Sequence, residues 1–256
     1  MADWEPSLYL KFSGARTRPA ADLAAAIPLQ APARVLDVGC GPGNSTAVLG
    51  ARFPHAELVG ADASPAMVRQ AQAAFPQWQF FTCTLPEEMK ALGSGWDVIF
   101  SNACLQWVPG HRQLIPALFR LLAPGGVLAV QVPRQDQQPV HGLLKRLACT
   151  PRWREKIREV RTFHNLMPEE YFTLLRSLTP EVRMWQTTYY QVMENHTALL
   201  EWYRGTGLRP YLAQLCPDAR RFEADVLAGL RQLYAPGKDG QILFSFPRLF
   251  FTAVKP

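Results

Sequence analysis

The sequence predicts an α/β fold, a doubly wound and mostly parallel sheet with an antiparallel edge and a helical cap over the active site. Three observations predict it. Strand-sized apolar runs alternate with helical segments five times within about a hundred residues, an order that implies right-handed crossovers between parallel strands. The first run ends in a glycine-rich segment, Asp37-Val38-Gly39-Cys40-Gly41-Pro42-Gly43. Beyond Pro133 the alternation gives way to Arg-rich helical stretches and two runs rich in aromatic and β-branched residues.

The first strand is read at Ala33–Val38, a short apolar run of the kind buried on both faces. Asn44–Arg52 follows as a helix, and Glu57–Ala61 as a second strand ending at Asp62. Ser64-Pro65 reads as an N-cap with proline at the first helical position, opening a helix through Ala74. Gln79–Thr82 and Asp97–Ser101 are the third and fourth strands. Leu114, Ile115, Leu118, Leu121 and Leu122 recur at helical spacing, and Pro124-Gly125-Gly126 stops that helix before a fifth strand at Val127–Val132. Residues 134–180 read as mostly helical, Val182–Val192 as a strand, and 196–235 as helical with an apolar stripe through Phe222, Val226, Leu230 and Leu233. Ile242–Val254 closes the chain as a strand interrupted by Pro247. At 256 residues and 48% hydrophobic content, one domain over 1–256 is expected. Its core strands lie within 33–133, and its cap and last two strands within 134–256.

Five scattered cysteines, odd in number and without metal-ligand spacing, point to a reduced, cytosolic protein without structural zinc. The N-terminus carries acid early with no apolar run behind it, so no signal peptide is expected, and no run is long enough for a membrane span. A net charge of +6 favours an anionic partner. The arginines are spread rather than clustered, which disfavours nucleic acid.

Ligands of open α/β sheets bind beyond the carboxyl ends of the strands. Gly39, Gly41 and Gly43 permit a tight turn after the first strand, and Asp62 stands about twenty residues on, the spacing of an acid that binds ribose hydroxyls. A dinucleotide fingerprint needs glycine at its sixth position, where this chain has Asn44. Asp37, just ahead of the loop, would repel a pyrophosphate and suits a cofactor carrying an ammonium and a sulfonium.

These residues carry a resemblance. Val35-Leu-Asp-Val-Gly-Cys-Gly-Pro-Gly43 resembles the first motif of Rossmann-like class I methyltransferases, and Leu122-Ala-Pro-Gly-Gly-Val127 their post-motif segment. The resemblance implies S-adenosylmethionine, no metal, and a cofactor site of Asp37, Gly39, Cys40, Gly41, Asp62, Ala63, Met67, Thr84, Leu85 and Asn102, with Arg18 on the cofactor carboxylate. Thr84 departs from the family, which commonly has an acid there. A narrower likeness runs nearly end to end. Trp4-x-Pro-Ser-Leu-Tyr9, Arg16-x-Arg-Pro19, Ser101-Asn-Ala-x-Leu-Gln-Trp107, Thr206-Gly-Leu-Arg-Pro210 and Phe246-Pro-Arg-Leu-Phe250 resemble the trans-aconitate 2-methyltransferase family. That likeness implies a small tricarboxylate esterified without a general base. Arg209 and Arg248 would grip its carboxylates, and Tyr9, Trp107, Gln131, His141 and Tyr190 would line the pocket. Arg134-Gln135 replaces the family's usual Asp-Asn after the fifth strand, so another polycarboxylate stays open. Three further readings also stay open: a carrier-bound malonyl-type acid, RNA methylation, and a non-catalytic cofactor-binding module.

Overall fold

The computed structural model describes residues 13–256 except Arg161 and Thr206; the side chains of Ser13–Arg16 are not described. The expected contribution of Tyr9 lies outside the described residues. The chain divides into two compact units. The larger comprises residues 14–133, 163–187 and 248–256; the other holds residues 134–162 and 188–247.

The elements follow one another as α1 (Ser13–Ala25), β1 (Arg34–Val38), α2 (Asn44–Arg52), β2 (Glu57–Asp62), α3 (Pro65–Ala74), β3 (Gln79–Thr82), β4 (Trp96–Asn102), α4 (His111–Arg120) and β5 (Leu122–Pro133). Then come α5 (Pro139–Ala148), α6 (Pro168–Arg176), β6 (Val182–Met193), α7 (His196–Arg204), α8 (Arg209–Ala213), α9 (Ala219–Leu233) and β7 (Ile242–Val254). The sheet order is β3-β2-β1-β4-β5-β7-β6, with β1 to β5 parallel and β7 antiparallel to β5. This is the doubly wound sheet with an antiparallel edge that the sequence predicts.

In the larger unit, β1 is central and its last four residues are buried. One face of the sheet packs Leu36, Ile99, Leu128, Val130 and Phe251 against Leu114, Ile115 and Leu118 of α4 and Tyr171 and Leu175 of α6. On that face His111 hydrogen-bonds both the Tyr171 hydroxyl and the Leu105 carbonyl, and burial lowers its pKa. With both ring nitrogens engaged, it is a structural histidine. The Ser64 side chain caps α3 by accepting from the Met67 N–H, with Pro65 at the first turn.

In the other unit, α9 runs from Ala219 to Leu233 and buries Phe222, Val226 and Leu230. Trp153 packs edge-on against Phe222 and donates to Asp225. Gly229 admits the Leu143 side chain of α5, which a Cβ would meet at 2.5 Å.

α1 takes in Arg16 and Arg18, with Pro19 inside it. Three local readings are corrected by the structure. β5 starts at Leu122, not Val127, because Gly125 and Gly126 exchange backbone hydrogen bonds with Lys255 and so extend the sheet through the Pro-Gly-Gly segment. Residues 134–180 hold only α5 and α6 as longer helices, and 196–235 form three helices parted near Gly205, Gly207 and Pro217. β7 runs unbroken through Pro247, whose carbonyl accepts from the Arg134 N–H.

Candidate active site

The loop after β1 is held through its own backbone amides, mostly against the end of β2. The Gly39 and Cys40 N–H groups both donate to the Ala61 carbonyl, at 2.7 and 3.1 Å. Gly41 N–H donates to Asp62 Oδ2 at 2.9 Å, and Gly43 N–H to the Cys40 carbonyl at 3.0 Å. A phosphate-binding loop must leave such amides free for the anion. Here four of them are spent inside the protein, which suits a cationic ligand better than a pyrophosphate.

Positive φ angles at Gly39, Gly41 and Gly43 make the turn possible. At Gly39 the neighbourhood is also crowded: a Cβ there would lie 2.1 Å from Cys104 Sγ. Cys104 is brought this close by Ala103, whose φ of 53° is the only positive value at a non-glycine among the described residues. The Ala103 N–H donates to the Gln131 carbonyl, tying this strained turn to β5.

Asp37 is buried, and its Oδ2 accepts from Ser45 Oγ at 2.6 Å and Thr46 Oγ1 at 2.7 Å. Its Oδ1 has no hydrogen-bond partner among the described residues. Burial is the largest influence on this carboxyl and raises its pKa to about 6, against the pull of the two hydroxyls. Between the ordinary 3.8 and about 6, the folded chain keeps a proton that the unfolded chain has lost. Ionising Asp37 therefore removes stability as pH rises through that window, by roughly 3 kcal/mol in full. Urea unfolding of the cofactor-free protein should show Asp37→Asn gaining stability relative to wild type as pH climbs from 4 to 6.5. A difference that is flat in pH would contradict the assignment.

Asp62 closes the second strand. Its Oδ1 accepts from the Ser64 N–H and its Oδ2 from the Gly41 N–H, both at 2.9 Å. Burial raises its pKa as well. Each oxygen keeps a lone pair for a further donor.

Strand register gathers a polar row on the other face of the sheet. Asp37 lies opposite Phe100, Asn102 opposite Gln131, Gln131 opposite Phe250, and Pro133 opposite Arg248. With alternation along each strand, Asp37, Asn102, Gln131 and Arg248 share that face near the carboxyl ends of β1, β4 and β5. Gln131 is fully buried, yet among the described residues neither Oε1 nor Nε2 has a partner, and Asn102 Oδ1 is likewise buried and unpaired. Leaving such groups unsatisfied costs about 1–3 kcal/mol each, and a row of them marks a place where a ligand completes the bonding.

Comparison with known proteins accords with this geometry. The model of the family described as "Methyltransferase domain" matches residues 12–213. The chain belongs to that family. It is a class I methyltransferase that uses S-adenosylmethionine. A trans-aconitate 2-methyltransferase of Methylobacterium radiotolerans is 44% identical, covering 100% of this chain and 99% of its own. One from an Azoarcus species is 45% identical, with 100% of both chains covered. Among solved structures, a geranyl diphosphate C-methyltransferase from Streptomyces coelicolor, in complex with S-adenosyl-L-homocysteine, matches with a TM-score of 0.52 at 15% identity. It covers 94% of this chain and 76% of that one. The YcgJ protein of Bacillus subtilis matches with a TM-score of 0.58 at 15% identity, covering 93% and 98%. These structural likenesses show the fold.

All of the expected cofactor residues of the methyltransferase lie in the larger unit. Ala63 is exposed, Met67 is buried, and Leu85 packs partly into the core. The Thr84 N–H donates to Glu88 Oε2 at 2.6 Å, so a carboxylate does stand beside this position although the side chain at 84 is a hydroxyl. Arg18 is exposed on α1. Of the expected acceptor residues, Trp107 packs at a tilt against Phe163, and Gln131 and Arg248 share the polar row. The other unit holds His141, edge-on to Tyr203; Tyr190, 58% exposed on β6; and Arg209, whose Nη1 is buried without a partner among the described residues. Tyr189 rather than Tyr190 is the buried tyrosine of its pair, stacked on Phe246. Ser45, Thr46 and Cys104 escaped the sequence reading. The Ser-Thr pair directly after the glycine loop was the available signal for the first two, and nothing local marks the third.

Among the described residues no helix is long and apolar enough to cross a membrane, and no cluster of His, Cys, Asp and Glu is arranged to hold a metal.

Proposed function

We propose that this methyltransferase esterifies one carboxylate of a small polycarboxylate, with trans-aconitate the leading acceptor. The observation that carries the reading is the polar row of Asn102, Gln131 and Arg248 beside the glycine loop. It supplies amide and guanidinium donors and contains no imidazole, as a site for an already ionised acid should. End-to-end likeness to trans-aconitate 2-methyltransferases supports the choice of acid.

When bound, S-adenosylmethionine supplies an electrophilic methyl group on a sulfonium. The residues that would hold it are Asp37 and the loop of Gly39, Cys40 and Gly41 at its cationic end, with Asp62 on the ribose hydroxyls. Ala63, Met67, Thr84 and Leu85 would enclose the adenine. Asn102 would stand between donor and acceptor, and Arg18 would meet the cofactor carboxylate. The orphaned Asp37 Oδ1 fits an ammonium. An acceptor carboxylate is ionised at neutral pH, so its oxygen forms the new C–O bond while the S–CH3 bonding pair returns to sulfur, and no proton moves. The protein's part is alignment and exclusion of water.

Arg248 binds a carboxylate in this scheme; Trp107 borders the acid. Arg209, His141 and Tyr190 remain substrate candidates carried by the likeness of their motifs. The test is transfer of radiolabelled methyl to a panel of di- and tricarboxylates. Trans-aconitate is expected to label best, and preferential labelling of another acid would overturn the substrate while leaving the chemistry. Arg248→Ala should raise KM for the acid about 10- to 100-fold through loss of a charge-assisted contact. Calorimetry should show cofactor binding unchanged, and equal loss of both would count against the role.

A further inference from the structure

The carboxylate that receives the methyl cannot be held in the same way as the carboxylates that merely anchor the acid. In the transfer a carboxylate anion becomes a neutral ester as the sulfonium becomes a neutral thioether. A guanidinium on the reacting group would bind the ground state more tightly than the transition state and so slow the step. It would also occupy both oxygens bidentately, tying up the attacking lone pair. A neutral amide donor avoids both effects. It fixes one oxygen and loses little as the negative charge disappears.

Two side chains on the row carry a neutral amide, Asn102 and Gln131, and they differ in how many polar atoms are left buried and unpaired among the described residues. Gln131 is fully buried at the carboxyl end of β5, one strand from Asn102 and two from the glycine-loop strand, and both its polar atoms lack partners among the described residues. Among the described residues no other side chain leaves two polar atoms buried and unpaired. The Gln131 carbonyl accepts from the Ala103 N–H, so its backbone is fixed to the turn that presses Cys104 against Gly39. The amide is thus preset relative to the cofactor loop.

Building on the carboxyl-methylation reading above, we infer that Gln131 Nε2 holds the carboxylate that is methylated, while Arg248 holds a carboxylate that is not. Gln131 then governs kcat, and Arg248 governs KM.

The experiment is steady-state methyl transfer to trans-aconitate by wild type, Gln131→Met and Gln131→Asn, with S-adenosylhomocysteine binding measured by calorimetry on each. Gln131→Met keeps the length of the side chain and removes the amide. Its kcat should fall about 100-fold, the scale of a misplaced reacting group. KM should change less than threefold, product binding should hold, and Tm should hold or rise, since two unsatisfied buried groups are removed. Gln131→Asn, which withdraws the amide by one methylene, should fall between. A Gln131→Met enzyme within threefold of wild-type kcat would overturn the inference. So would a rise in KM at unchanged kcat, which would make Gln131 an anchor. Loss of cofactor binding in both variants would also overturn it, as the mark of a structural role. Wild type inert toward every acid would sink the carboxyl reading itself, and that control is read separately from the variants.

Discussion

Gly39→Ala is expected to abolish measurable cofactor binding and to lower the melting temperature of the free protein by roughly 5–15 °C. Two costs combine. The residue sits at φ 77°, where an L side chain is strained by about 1–2 kcal/mol. Its new Cβ would also lie 2.1 Å from Cys104 Sγ and 2.2 Å from Cys104 Cβ, so something must shift at a further cost of about 1–3 kcal/mol. The shift cannot be absorbed by Ala103, already at φ 53°, nor by the Gly39 N–H, which must stay 2.7 Å from the Ala61 carbonyl. Cys104→Gly in the same chain removes the overlap and leaves the strain. The double variant should regain part of the stability, with a coupling of about 1–3 kcal/mol in a thermodynamic cycle. Strict additivity of the two changes would contradict the contact.

Asp62→Ala should weaken cofactor binding by two orders of magnitude or more, measured by calorimetry with S-adenosylhomocysteine. The carboxylate joins three things: the Gly41 amide of the loop, the Ser64 amide that opens α3 and, in the proposed complex, the ribose hydroxyls. Hydrogen bonds to a charged group contribute about 1.5–3 kcal/mol each. Their removal unpins the loop even before the ribose contact is counted. Asp62→Asn keeps one acceptor oxygen and should lose only about tenfold. Equal losses for the two variants would show that charge, not the acceptor geometry, carries the effect.

Much of this was legible because the determinants are local. The glycine spacing at 39, 41 and 43 and the Ser-Pro cap at 64–65 each act within a few residues, and the structure has the turn and the cap where they are expected. Strand periodicity gave β1 to β4 to within a residue or so for the same reason. What stayed hidden depends on partners distant in the chain. The start of β5 is set by Lys255, well over a hundred residues away. The sequence shows Asp37 only as an acid facing a cationic cofactor, whereas its burial beside Ser45 and Thr46 raises its pKa and leaves one oxygen unpaired among the described residues. The Arg-rich stretch after Pro133 has the composition of a helix, but its prolines and glycines break it into short pieces. The row from Asp37 to Arg248 exists only through strand register, which no single segment encodes.

The chemistry of the transferred methyl group tests the account most directly. Product made with radiolabelled S-adenosylmethionine and trans-aconitate would be treated with mild alkali, which cleaves esters and spares ethers, amines and carbon-bound methyl groups. The predicted result is quantitative release of the label as volatile methanol, with trans-aconitate recovered. Label that stays with the acceptor through the same treatment would contradict carboxyl methylation.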